Sequence, residues 1–339
     1  MKAAVMYGPH DIRIEEVADP VIGKGEVLIK IKNVGICGGD IHFYNGTHPY
    51  SNYPRIYGHE LSGDVVETFE EYPNVKIGDR VVLEPLIACG HCYPCRVGKY
   101  NCCENIKVIG AHVDGGFAEY IKVPYHRVHK IPDSLAYDLA SLCEPYSIGA
   151  QCTKRGSITK EDTVLIMGSG AIGLTVLDFA KNIIGARVMI CDIHPFRLEL
   201  AKKFGADAVV NSKEEDIYKR IMEFTNHEGA SVVVEATGVS SVMESTENLV
   251  AAGGTIVIVG LTNDKVAFTG INFTKKEMTI HGSRNSANLF PYVIDSISSG
   301  KLHSEELMTN KFKFEDIGEA FAYTAQNLDK VGKVVIEMY

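Results

Sequence analysis

The chain reads as an α/β protein in two parts, a loop-rich β domain followed by a doubly wound parallel sheet. Three observations carry that expectation. Up to about residue 145 the sequence is rich in glycine, turns and short alternating segments, the texture of an irregular β domain. From about residue 160 apolar runs alternate with helical spacing, the order that builds a parallel sheet covered by helices. At the first junction of that second half, Gly168, Gly170 and Gly173 stand between a strand-like run and a helix-like one.

The elements follow in order. Gly25–Lys32 sets Ile29 and Ile31 against Lys30 and Lys32, as a half-buried strand does, and Val81–Leu83 and Ala118–Val123 read similarly. Buried parallel strands are expected at Val164–Met167, Val188–Cys191, Val232–Val234, Ile256–Val259 and Met278–Ile280. Between them, Phe196, Leu200 and Phe204 recur every fourth residue, and Ile217 and Ile221 repeat the spacing. The end carries a helix over Asp316–Gln326 and a strand over Lys333–Met338. A chain of 339 residues exceeds one ordinary domain. The C-terminal helix and strand could return to the first part.

Composition narrows the function. A formal charge of −9 without a long basic run argues against nucleic acid as a partner. No apolar run approaches the ~20 residues that span a bilayer, and the opening residues become polar too quickly for a signal-peptide core. The expectation is a soluble, cytoplasmic protein without membrane partners. Five of the nine cysteines fall within Cys89–Cys103, crowding that favours metal over disulfides in so large a chain.

Cys89, Cys92, Cys95 and Cys103 follow C-x2-C-x2-C-x7-C, a pattern that closes a tetrahedral thiolate shell around a structural zinc. Upstream, Cys37, His59 and Glu60 offer a thiolate, an imidazole and a carboxylate. Three protein ligands with an open position are what a catalytic zinc needs. Glu144 is a further carboxylate for the metal or its water, and Asp40 is placed to accept the distal ring proton of His59.

At the glycine turn, Gly168 makes the tight bend, Gly170 admits a pyrophosphate to the backbone and Gly173 lets helix and sheet approach. The helix N-terminus favours phosphate charge. Asp192, ending the next strand, is where an acid accepts hydrogen bonds from the adenosine ribose and repels a 2′-phosphate, so NAD is favoured over NADP. Arg197 nearby works against that repulsion.

Together these residues resemble the zinc-dependent medium-chain dehydrogenase family over nearly the whole chain. The matching stretches are Gly35-Ile-Cys-Gly-Gly-Asp-Ile-His, Gly58-His-Glu, Gly78-Asp-Arg-Val, the cysteine cluster, Asp114-Gly-Gly-Phe-Ala-Glu-Tyr, Glu144-Pro and the glycine turn. The resemblance implies a GroES-like catalytic domain over 1–146 and 288–339, completed by the C-terminal segment, beside a Rossmann nucleotide domain over 147–287. It implies two zinc ions per chain, one catalytic on Cys37, His59 and Glu60 with Glu144, the other structural. It adds Ile172, Val259, Gly260, Leu261, Ser283 and Arg284 to the dinucleotide contacts. A homo-oligomer, dimer or tetramer, is implied by the same likeness.

Val108-Ile-Gly-Ala-His-Val-Asp-Gly-Gly-Phe and Gly282-Ser-Arg-Asn-Ser-Ala-Asn are similar to the bacterial sugar-acid members, which implies oxidation of L-gulonate to D-fructuronate. Where the family has Ser or Thr as a proton relay this chain has Gly39, leaving an ordered water and His42 to serve. Phe43 and Asn285 stand where sorbitol dehydrogenases carry substrate-contacting tyrosines. Arg284 and His112 are expected to meet a sugar-acid carboxylate. Competing expectations are a sorbitol-like polyol dehydrogenase, an L-galactonate 5-dehydrogenase, an L-threonine 3-dehydrogenase, and a nucleotide-binding regulator without turnover.

Overall fold

The alternation around Ile29 and Ile31 sets the spine of the first unit. In the computed structural model, which describes residues 1–49 and 51–338, this segment is the strand Glu26–Ile36. It pairs antiparallel with Glu60–Thr68, Tyr120–Pro124 and Lys333–Glu337. Ile29 and Ile31 are buried with Leu61, Val81, Phe117 and Phe321, while the intervening lysines lie nearer solvent. The C-terminal strand therefore belongs to the same sheet as Glu26–Ile36 and Glu60–Thr68. The helix Ile317–Gln326 packs beside it with Ile317, Ala320, Phe321 and Thr324 buried, an i, i+3, i+4, i+7 stripe.

The second unit holds six parallel strands. Across the sheet they run Ala208–Asn211, Arg187–Asp192, Thr163–Met167, Ala230–Glu235, Val250–Ile258 and Thr279–Gly282. In chain order that is 3-2-1-4-5-6, the doubly wound arrangement whose ligand crevice lies at the carboxyl ends of the strands. Leu165, Val233 and Ile256 form its core.

Three sequence expectations need correction. The edge strand Ala208–Asn211 was not anticipated; it has four residues, and only Val210 is buried. In the helix Pro195–Lys203 the four-residue period holds for Leu200 and Phe204, which are buried, but its first member Phe196 is exposed, and Leu198 and Ala201 share the inward face. The domain division also shifts. One unit comprises 1–144, 290–299 and 308–339; the other comprises 145–289 and 300–307. Residues 300–307 join the nucleotide unit because His303 is held there. Its main-chain N–H donates to Asp178 Oδ2 at 2.7 Å, its ring Nδ1 lies 3.0 Å from Asp178 Oδ1, and the ring stacks on Phe204 at 5.3 Å. Among the described residues no helix is long and apolar enough to cross a membrane.

Candidate active site

Cys37 follows the strand Glu26–Ile36 directly and caps the helix Gly38–Tyr44. Its main-chain N–H donates to Asp40 Oδ2 at 2.8 Å, which fixes the turn that presents the thiol. His59 and Glu60 enter the neighbouring strand, where Glu60 lies in register with Gly35. A Cβ at Gly35 would stand 2.2 Å from Glu60 Oε2, so only glycine leaves room for that carboxyl group. One donor atom from each of Cys37, His59 and Glu60 falls within 4.8 Å of the others.

Glu60 is buried and Cys37 and His59 are partly so, and charged groups crowd around them. Glu144, at the start of the helix Cys143–Arg155, is pushed up to about 7 by burial and by Glu60, against the pull of His59. Burial also raises Asp40, partly countered by His59 and the Cys37 N–H. For His59, burial favours the neutral ring, but Asp40, Cys37 and Glu144 together raise it well above its ordinary value. Asp40 does not accept the ring proton as expected: its Oδ1 lies 3.8 Å from His59 Nδ1, beyond hydrogen-bond range, because the other oxygen is committed to Cys37.

The sequence reading missed Lys333. This residue opens the strand Lys333–Glu337, is 4% exposed, and forms a buried ion pair with Glu60 Oε1. Burial would lower its ammonium; Glu60, Cys37 and Glu144 outweigh that and raise it. Removing one partner of a buried pair strands the other charge, at a cost of about 3–5 kcal/mol. Lys333→Met is therefore expected to lower the unfolding free energy by about 3 kcal/mol or more, read from urea denaturation.

Glu60 Oε2 and His59 Nδ1 are buried and have no hydrogen-bond partner among the described residues. Orphaned polar atoms of this kind are costly. A sulfur, a ring nitrogen and a carboxylate oxygen converging there fit the donor chemistry of zinc. The second cluster fits as well. Zn–S bonds of about 2.3 Å in a tetrahedron place sulfurs about 3.8 Å apart. Here Cys92 Sγ lies 3.4 Å from Cys95 Sγ and 3.8 Å from Cys103 Sγ. Main-chain N–H groups of Cys89 and Cys92 point at Cys103 Sγ and Cys89 Sγ at 3.2 and 3.4 Å. Hydrogen bonds from the His91 and Cys92 backbone pull the Cys89 thiol down to about 6. Cys102 is exposed and lies outside the four-sulfur group.

In the second unit, Gly168 has φ +100° and carries the chain from the strand into the glycine turn. A Cβ at Gly173 would meet Gly168 O at 1.9 Å, so helix and turn touch there. Beside Gly170, the cap of the helix Ala171–Asp178, the nearest atom is Arg197 Nη1 at 3.8 Å, leaving space against the backbone. Ile172 lies in that helix. Gly173→Val is expected to unfold the second unit or abolish dinucleotide binding, checked by thermal melts and NADH fluorescence.

Asp192 is 8% exposed and tightly held. Its Oδ2 accepts from Ser169 N at 2.7 Å, and its Oδ1 accepts from Ile193 N and His194 N at 2.7 and 3.0 Å. Burial raises its carboxyl, but the Ser169 N–H and Arg197, 3.8 Å away, hold it below the usual range. The N–H groups of Val259 and Gly260 both donate to Glu235 O, and Leu261 is 91% exposed. Ser283 is buried and its N–H donates to Ile258 O at 2.8 Å.

The substrate-side residues are more scattered. Phe43, read as facing substrate, is instead 2% exposed, stacked between Tyr57 at 4.4 Å and His48 at 3.9 Å. His42 is exposed, its Nδ1 3.1 Å from Thr47 Oγ1. His112, also exposed, accepts the Val108 N–H on Nδ1 at 3.2 Å, which leaves its neutral ring proton on Nε2. Arg284 is exposed and Asn285 half-buried, both in the second unit.

A β unit with a mixed-donor centre and a four-sulfur centre, and a unit with a dinucleotide turn, define a metal-dependent dehydrogenase. Residues 23–133 match the alcohol dehydrogenase GroES-like domain family and residues 171–299 the zinc-binding dehydrogenase family, so the chain belongs to the zinc-type medium-chain alcohol dehydrogenases. It is 36% identical to sorbitol dehydrogenase of Bacillus subtilis, with 99% of this chain and 97% of that one covered. It is 35% identical to L-galactonate-5-dehydrogenase of Escherichia coli K12, covering 99% and 98%. The solved structure of RspB from Escherichia coli CFT073, complexed with NADH, superposes with a TM-score of 0.94 at 35% identity, covering 99% of both chains.

Proposed function

We propose that the chain oxidises a secondary hydroxyl of a sugar acid with NAD, L-gulonate to D-fructuronate being the reaction the sequence favours. The observation that carries this reading is the convergence of donor atoms from Cys37, His59 and Glu60 within 4.8 Å of one another in the β unit. When bound, zinc would supply Lewis acidity at the substrate oxygen and NAD would accept the hydride.

The protein's own groups do the rest. Cys37, His59 and Glu60 hold the ion, with Glu144 beside them. Lys333 offsets part of the negative charge that these side chains gather. Cys89, Cys92, Cys95 and Cys103 hold the structural ion. Gly39 offers no hydroxyl, so His42 carries the released proton toward solvent. Gly168, Gly170 and the helix N-terminus receive the pyrophosphate, and Asp192 accepts the ribose hydroxyls. Val259–Leu261, Ser283 and Arg284 complete the cofactor side, and His112 is the β unit's candidate partner for the substrate carboxylate. By family likeness the same reading includes a homo-oligomer, dimer or tetramer.

A panel of hexonates, polyols and amino acids, with NAD and NADH absorbance as the readout, tests it. The expected result is a kcat/KM for L-gulonate at least about tenfold above those for sorbitol and L-threonine. A silent L-gulonate beside an active polyol would overturn the substrate, and silence across the panel the catalytic reading. Asp192→Ser is expected to raise the NADP:NAD preference about tenfold, since the carboxylate that repels a 2′-phosphate is gone and Arg197 remains.

A further inference from the structure

Glu235 ends the strand Ala230–Glu235 with a fully buried side chain that neither metal centre uses. Its carboxylate accepts the Thr237 N–H at 2.7 Å, the Gly238 N–H at 3.1 Å and the Thr237 hydroxyl. Burial pushes the carboxyl up, and the Thr237 and Gly238 donors partly reverse that. Its main-chain carbonyl accepts from Val259 N at 3.0 Å and Gly260 N at 3.1 Å. One residue thus fixes two turns, 236–238 and 259–261.

The turns have no slack between them. A Cβ at Gly260 would lie 2.3 Å from Gly238 N and 2.5 Å from Glu235 Oε2, and one at Gly238 would lie 2.7 Å from Leu261 O. The first turn also abuts the glycine motif: Ala236 N–H donates to Met167 O at 2.9 Å, and the Thr237 methyl stands 2.9 Å from where a Gly168 Cβ would be.

Dinucleotides lie across the carboxyl ends of such a sheet, one mononucleotide over each half. Asp192 ends a strand on one side of Thr163–Met167; Glu235 and Ile258 end strands on the other. We propose that Glu235 is a positioning residue for the nicotinamide half of the cofactor, acting through the two turns it ties together. This rests on reading the second unit as an NAD site. A buried carboxylate satisfied by several donors makes a rigid support, and Leu261, held out at 91% exposure, has little else to fix it.

Calorimetry on the full-length chain with NADH and with ADP-ribose, which lacks nicotinamide, separates the halves. Glu235→Gln places an amide group against the N–H donors, and the NADH Kd is expected to rise about tenfold while that for ADP-ribose stays within about twofold. Thr237→Val keeps the methyl against Gly168 but removes the hydroxyl donor; a smaller, equally selective loss is expected, and this variant decides if Glu235→Gln does not fold. Equal weakening of both ligands, or of neither, overturns the proposal. A wild-type chain that binds neither would remove the NAD reading itself, whereas unselective variants of a binding-competent wild type remove only the role of Glu235.

Discussion

Replacing Cys37 with serine is expected to cut NAD-linked turnover at least about a thousandfold. Lewis-acid stabilisation by a bound metal contributes several kcal/mol, and about 1.4 kcal/mol is tenfold in rate. A serine hydroxyl is neutral near pH 7 and a poor zinc ligand, so His59 and Glu60 would be left with an incomplete donor set. Zinc measured by elemental analysis should fall by about one ion per chain, the four-sulfur centre keeping its own. The fold should survive. The Cys37 main-chain N–H still reaches Asp40, and serine is a favourable residue at the cap of the helix Gly38–Tyr44. NADH binding should also survive, because Gly168 and Asp192 belong to the other unit. Unchanged turnover in a variant shown to have lost that ion would take the metal out of the mechanism.

What the sequence made legible was what it keeps local. Cys89, Cys92 and Cys95 sit three residues apart, and the short helix Tyr93–Arg96, capped by Cys92 and containing Cys95, helps bring their sulfurs together. The glycine turn, likewise, is a strand, three residues and a helix, so its geometry is written in one stretch. Lys333 could not be found this way. It faces Glu60 across 273 residues of chain, and only the pairing of the last strand with Glu26–Ile36 reveals it. In the sequence it is simply the polar first residue of an apolar strand. Glu235 was hidden in part for a similar reason: its carboxylate partners Thr237 and Gly238 are local, but the donors to its carbonyl, Val259 and Gly260, follow another strand. Phe43 fails in the opposite direction. Its position beside the ligand motif suggested a substrate contact, whereas its ring is taken up by Tyr57 and His48. Motif proximity fixes a backbone neighbourhood; side-chain direction is decided by packing.

At the four-sulfur centre, Cys92→Ser is expected to lower the melting temperature by about 10 °C or more, while Cys102→Ser leaves it unchanged. Cys92 is buried, and its sulfur is within 3.8 Å of both Cys95 and Cys103, so it stands at the middle of the group. Structural zinc contributes folding energy outright, because the unfolded chain has no preformed site. Losing one of four ligands forfeits several kcal/mol of it, and about 1 kcal/mol shifts the melting point by about 2–4 °C in a domain of this size. The only regular structure between Cys89 and Cys103 is one helix and one 3-10 turn, of four and three residues. Such short elements bury too little apolar surface to order the loop themselves. Cys102, one residue from Cys103 but exposed and outside the group, is the matched control. Chelation of the wild-type chain should reproduce the Cys92→Ser melt, and equal melts for the two variants would deny this centre a structural role.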